Sequence, residues 1–214
     1  MIKFYYLSGS PFAWRVWLAL EHKAIPYQKI DLSFSGGDLS APEYLSISPR
    51  GKVPAIVHEN ECFVESSVIL EYLDEKFTDS KNVLFPSQTL ARARVRQLIN
   101  EVDLYLDLVS RKLMNAVFFT HQENWDPLRI IEASNRVSEE LATINRRCDL
   151  FFGEQLTAAD FTIFPIVKLI ERLGKLAETV GGEVILGDRI EKRVSELDNL
   201  PIFQKTWPPH WIEK

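Results

Sequence analysis

The chain has 214 residues, 46% of them hydrophobic, with 25 Lys plus Arg against 30 Asp plus Glu and a net charge of -5. That length suits two domains, each with enough apolar material for a core. The absence of a block of like charge argues against nucleic acid as a partner, and no apolar run approaches the roughly 18 residues needed to span a bilayer.

Residues 2–7, Ile-Lys-Phe-Tyr-Tyr-Leu, are rich in strand formers and stop at Ser8-Gly9-Ser10-Pro11. A helix is predicted next, with Ser10 as N-cap, Pro11 at its first position, and Phe12, Val16, Ala19 and Leu20 at helical spacing. Tyr27 to Leu32 reads as a second strand, parallel to the first because a crossover helix joins them. A Ser-, Gly- and Pro-rich stretch holds only a short helix near Pro42 to Ile47. Val53 to His58 and Glu61 to Val64, with a turn at Glu59-Asn60, read as a β-hairpin. Ser66 or Ser67 is the expected cap of a third helix, whose apolar stripe is Val68, Ile69, Tyr72, Leu73 and Phe77.

Beyond Asp79-Ser80-Lys81-Asn82 the strand signals end, and helices are predicted over 90–120, 127–150 and 158–173, with shorter pieces from 183 onward. The reading is an α/β N-terminal domain (βαβαββα) at 1–78, a linker at 79–86, and an all-α C-terminal domain at 87–214. Thr157 and Asp160 have capping-box spacing. Cys62 and Cys148 are read as packed, reduced thiols of a cytosolic protein. Residues 1–6 show no signal-peptide pattern, and the histidines at 22, 58, 121 and 210 lack ligand spacing, so no metal is expected.

Pro54 stands at the mouth of a predicted strand, where it is either an ordinary turn proline or the second residue of a cis bond that leaves the Val53 backbone free for a ligand. Three ordered segments bear on that choice: Ser10-Pro11-Phe12-Ala13-Trp14-Arg15-Val16, then Ser48-Pro49-Arg50-Gly51-Lys52-Val53-Pro54-Ala55-Ile56, then Val64-Glu65-Ser66-Ser67 running to Leu73. Together they resemble the thioredoxin-like, glutathione-binding domain of cytosolic glutathione S-transferases. The motifs are most similar to Ser-type tau-, zeta- and beta-like bacterial or plant members. Leu156 to Ile163 is similar to the family's helix start in the second domain.

The resemblance implies a transferase that conjugates the glutathione thiolate to a hydrophobic electrophile, as in detoxification, and it implies a homodimer. Ser10 is the expected catalytic residue, with Ser8 and Tyr6 as alternatives and Arg15 as an ion-pair residue. Lys52, Val53, Glu65 and Ser66 are the expected glutathione-binding residues. Ser40 stands where many members carry a basic or amide group, so the partner of the glycyl carboxylate is open. The second-substrate pocket is assigned to Phe12, Tyr105 and Met114, with Phe118, Phe119, Trp207 and Trp211 as further candidate walls. Two other activities are weighed: zeta-like isomerisation of a maleylacetoacetate-type alkene, and a catalytically silent binding module. Trp17 replaces a basic residue common in the isomerases, and reductase chemistry would call for Cys at position 10.

Overall fold

A computed structural model describes residues 1–78 and 82–211; residues 79–81 of the expected linker lie outside the described residues. The chain opens with β1 (Ile2–Tyr6), α1 (Pro11–His22), β2 (Tyr27–Asp31), the short α2 (Pro42–Leu45), β3 (Ala55–His58), β4 (Glu61–Val64) and α3 (Ser66–Lys76). The sheet order is β2-β1-β3-β4. β1 runs parallel to β2, pairing Ile2 with Tyr27 and Tyr6 with Asp31. β3 is antiparallel to both β1 and β4, with Tyr5 opposite Ala55 and Ala55 opposite Val64. This is the thioredoxin-like mixed sheet that the segment order predicts.

The rest is helical: α4 (Thr89–Glu101), α5 (Asp107–Val117), α6 (Pro127–Asn145), α7 (Cys148–Phe151), α8 (Ala158–Glu178), α9 (Asp188–Asp198) and α10 (Pro201–Lys205). α1 is buried all round from Ala13 to Leu20, which fits a helix held between the sheet side and α8. Consequently the buried apolar residues form one contiguous cluster from β1 through α1 to α8 and α9.

Three expectations change here. The single helix predicted over 90–120 is α4 and α5 joined by a wider π turn at Val102–Leu106. Helix periodicity alone does not register one extra residue per turn, and such turns are frequent at functional sites. α3 has no serine cap: Glu65 precedes it, and Ser66 is its first residue. Cys62 is exposed on edge strand β4 rather than packed, whereas Cys148 is buried and its thiol is pushed up to about 11 by desolvation.

The capping box at the start of α8 forms, with Asp160 Oδ2 accepting the Thr157 N–H at 2.8 Å and Thr157 Oγ1 accepting the Ala159 N–H at 3.2 Å. Asp160 Oδ1 also takes the Arg193 Nε–H at 2.8 Å, pinning α9 to α8.

Candidate active site

Strand register brings the turn after β1, the Val53 backbone and Glu65-Ser66 to one edge of the sheet. Since Tyr5 faces Ala55 and Ala55 faces Val64, the chain entering β3 at Val53-Pro54 lies beside the end of β1, and Glu65-Ser66 follows directly from β4. α1 and α3 both begin at that edge, so two helix N-termini with their positive dipole ends lie there.

Ser10 is the N-cap of α1, with Pro11 at N1. Its Oγ accepts the Ala13 N–H at a long 3.3 Å, and its own N–H donates to Leu7 O at 3.1 Å, closing a turn. A hydroxyl has one donor and two acceptor lone pairs, so capping leaves the Ser10 proton free to be donated elsewhere. Of the alternatives, Ser8 is committed to another partner, and the Tyr6 hydroxyl is buried without a hydrogen bond among the described residues. Ser8 Oγ lies 2.7 Å from His210 Nδ1, and Tyr6 is fully buried with its phenol pKa raised by desolvation, its ring 5.1 Å from that of Trp17.

The Val53-Pro54 bond is cis. The turn before it is held by the Lys52 backbone: its carbonyl accepts from Tyr44 Oη at 2.6 Å and Ser48 Oγ at 2.8 Å, and its N–H donates to Ser48 Oγ at 3.2 Å. Burial pushes the Tyr44 phenol up to about 12, so it remains a donor across the physiological range. Among the described residues, no protein group takes up the Val53 N–H or C=O. The Lys52 side chain is exposed and able to follow a ligand, while Ser40, also exposed, ends a short helical turn.

Gly51 has φ +59, and a Cβ there would lie 2.6 Å from Leu39 O. Gly51→Ala is therefore expected to displace Lys52-Val53 and lower ligand affinity at least about 10-fold, checked by titration calorimetry.

Glu65 occupies φ 65, ψ 110, a conformation that costs a non-glycine residue about 1–3 kcal/mol and that collects at functional sites. Its side chain is exposed and caps nothing, so the first N–H groups of α3 have no side-chain cap. Ser66, 6% exposed, stands at that helix start.

On the other side of Ser10, the half-buried Phe12 ring lies 4.9 Å from the Arg15 guanidinium and 5.9 Å from that of Arg111. Arg15 is fully buried and bidentate to Asp103 of the π turn, at 2.6 and 3.1 Å, consistent with the ion-pair role. Arg111 pairs with Asp107 at 2.5 Å. Met114, half-buried, follows Arg111 by three residues and shares its helix face. Tyr105 is not brought to Phe12. It is 56% exposed and two residues from Asp103, which places it on the opposite side of the helix.

Trp207 and Trp211 pack on Trp14, with ring centroids 5.4 and 5.6 Å away. Phe34, which the sequence did not single out, lies 6.3 Å from Phe119 at the end of α5, joining the chain after β2 to the helical region. Its signal was faint, a lone aromatic in a Ser- and Gly-rich stretch. Among the described residues no group of His, Cys, Asp and Glu could hold a metal, and no helix is long and apolar enough to cross a membrane.

Comparison with known proteins agrees with this fold. The family described as glutathione S-transferase, N-terminal domain, matches residues 4–81. A glutathione S-transferase of Pseudomonas putida is 35% identical over 178 residues, covering 82% of this chain and 77% of the relative. A maleylacetoacetate isomerase of Aspergillus fumigatus is 30% identical over 189 residues, covering 83% of this chain and 80% of the relative. The crystal structure of a glutathione S-transferase from the Antarctic clam Laternula elliptica is similar at a TM-score of 0.78 and 30% identity, over 100% of this chain and 94% of that one. A thioredoxin-like sheet, two helix starts meeting at its edge, and relatives of this identity and coverage lead to one conclusion: the chain belongs to the glutathione S-transferase family.

Proposed function

We propose that the sheet edge binds glutathione and that Ser10 stabilises its thiolate for attack on a hydrophobic electrophile. Residues 1–78 hold the tripeptide, and 87–214 shape the second pocket. The observation that carries this reading is the uncapped start of α3 beside the unpaired Val53 backbone, with Ser10 at a second helix start on the same edge.

Each ligand group has a partner of matching chemistry. The γ-glutamyl carboxylate takes the Ser66 N–H and hydroxyl at the start of α3, and Glu65 pairs with the ammonium. The Val53 backbone holds the cysteinyl unit, and Lys52 reaches the glycyl carboxylate. The sulfur then sits at Ser10, whose hydroxyl donates to it while the α1 dipole favours the anion. A free thiol of pKa near ~8.5 is only a few per cent thiolate at neutral pH. Lowering that pKa by about two units takes roughly 2.7 kcal/mol of preferential stabilisation. The proton leaves to solvent on binding; the sulfur lone pair then forms the C–S bond as the leaving group departs with its bonding pair or, at an activated alkene, as the π pair moves to the neighbouring carbon, which takes a proton from solvent. Phe12, Met114, Phe119 and Phe34 offer apolar surface for that partner, with Arg111 at its rim.

An isomerase reading shares the glutathione site, and one relative bears that name. Here Arg15 is 1% exposed and its charge is already paired with Asp103, which disfavours it as the partner of an anionic alkene. Conjugation of a chlorodinitrobenzene-type electrophile, measured beside isomerisation of a cis-alkene diacid, separates the two activities.

Titration calorimetry with glutathione in two buffers of different ionisation heat tests the reading. Binding with proton release supports it; no binding overturns it. Glu65→Gly removes the backbone strain together with the ammonium partner. The melting temperature is expected to hold or rise while affinity falls about 10- to 100-fold.

We also propose a homodimer. Leu104, Tyr105 and Leu108 are exposed apolar residues on consecutive turns, and Val68, Arg96 and Ile99 line a groove between α3 and α4. Sedimentation is expected to give a dimer, and Tyr105→Glu a monomer. The free thiols suit a reducing compartment, and we place the protein in the cytoplasm.

A further inference from the structure

After α10 the chain folds back onto the turn that carries Ser10. The base of this tail is firmly held. Trp14 Nε1 donates to Thr206 Oγ1 at 2.9 Å, and the Trp211 ring, 8% exposed, lies 5.6 Å from Trp14 with the Arg172 guanidinium 4.8 Å from its centroid.

From that base the tail reaches the two residues before Ser10. His210 Nδ1 lies 2.7 Å from Ser8 Oγ. Gly9 adopts φ +86, and a Cβ there would stand 3.0 and 3.1 Å from the His210 ring and 3.2 Å from Trp211 Nε1. The turn is thus gripped twice, by a hydrogen bond at Ser8 and by close packing at Gly9, and it closes on itself through the Ser10 N–H to Leu7 O bond at 3.1 Å.

We propose that His210 is a positioning residue for Ser10: through Ser8 it holds the Leu7–Ser10 turn against the anchored tail and so fixes where the Ser10 hydroxyl points. The proposal rests on the transferase reading of that hydroxyl. His210 touches neither the sulfur nor the electrophile. Its effect passes through the backbone of three residues, and a donor displaced by a fraction of an ångström loses much of its hold on an anion. Asn at position 210 presents an oxygen and an N–H near the place of Nδ1, so it keeps the bond to Ser8.

The test uses the full chain with His210→Ala, His210→Asn, Ser8→Ala and the double Ala variant. Assayed about one pH unit below the wild-type thiolate midpoint, His210→Ala is expected to lower kcat about 5- to 10-fold, with the midpoint of bound glutathione rising by about 0.7–1 pH unit and affinity within about twofold of wild type. His210→Asn is expected to restore both values. The double variant is expected to be no worse than either single variant, because both remove one interaction. Hydrogen exchange at the Ser10 amide, faster in His210→Ala, reads the same clamp in the unliganded protein. Wild-type midpoint and exchange in His210→Ala, or additive effects in the double variant, would overturn the proposal. If the wild-type protein fails to bind glutathione, the transferase reading falls, while amide exchange still decides the clamp.

Discussion

Ser10→Ala is expected to lower kcat/KM for glutathione conjugation about 100-fold while glutathione affinity changes little. The magnitude follows from the roughly 2.7 kcal/mol that corresponds to two pKa units, and removal of one well-placed donor to a developing or resident anion commonly costs that much. The substitution also removes the α1 cap, at about 1 kcal/mol of stability. Ser10→Gly separates the effects, since glycine at an N-cap costs only about a few tenths of a kcal/mol yet offers no hydroxyl. Both variants should therefore share the catalytic loss, with the larger fall in melting temperature confined to Ala. Full conjugation activity in either variant would remove Ser10 from the mechanism.

The second large effect concerns stability. Asp160 is 0% exposed and held by Arg193 Nε, the Thr157 N–H and, more weakly, the Thr157 hydroxyl, while the Arg193 side chain is 15% exposed. Arg193→Ala strands a carboxylate where water cannot reach it, and breaking a buried pair in this way costs about 3–5 kcal/mol. For a chain of this length that corresponds to a fall of about 6–20 °C in melting temperature.

The loss should depend on pH. Without Arg193, burial holds the folded-state pKa of Asp160 above its unfolded value near ~3.9. The folded state then binds the extra proton as pH falls, so the deficit relative to wild type is largest near neutrality and shrinks toward acid. Thermal melts of both proteins at several pH values check this. A deficit that grows toward acid, or none at neutrality, would contradict the buried-pair account.

The sheet half of the molecule is readable because its signals are local. Ser10-Pro11 gives a cap followed by a helix-compatible proline, and the two-residue turn at Glu59-Asn60 sets the register of β3 and β4, which in turn carries Val53 and Ser66 to the same edge. What the sequence hides is tertiary or conformational. Asp103 finds Arg15 across 88 positions through a π turn that ordinary helix counting does not register, and that same turn stands between the predicted and observed placing of Tyr105. Glu65 adopts a positive φ that side-chain type alone would assign to glycine, so serine appeared to be the cap. His210 reaches Ser8 across 202 positions, and no spacing rule connects them. Trp207 and Trp211 meet Trp14 from the far end of the chain, a packing that no local pattern registers.

The central claim is that this edge holds glutathione as a thiolate. Its most direct test is the ultraviolet thiolate absorbance of the protein–glutathione complex followed from about pH 5 to pH 9. The account predicts a midpoint about two units below that of the free thiol near ~8.5 in the wild type, moving back toward that value in Ser10→Ala. Saturable binding with an unshifted midpoint, identical in wild type and Ser10→Ala, would contradict it.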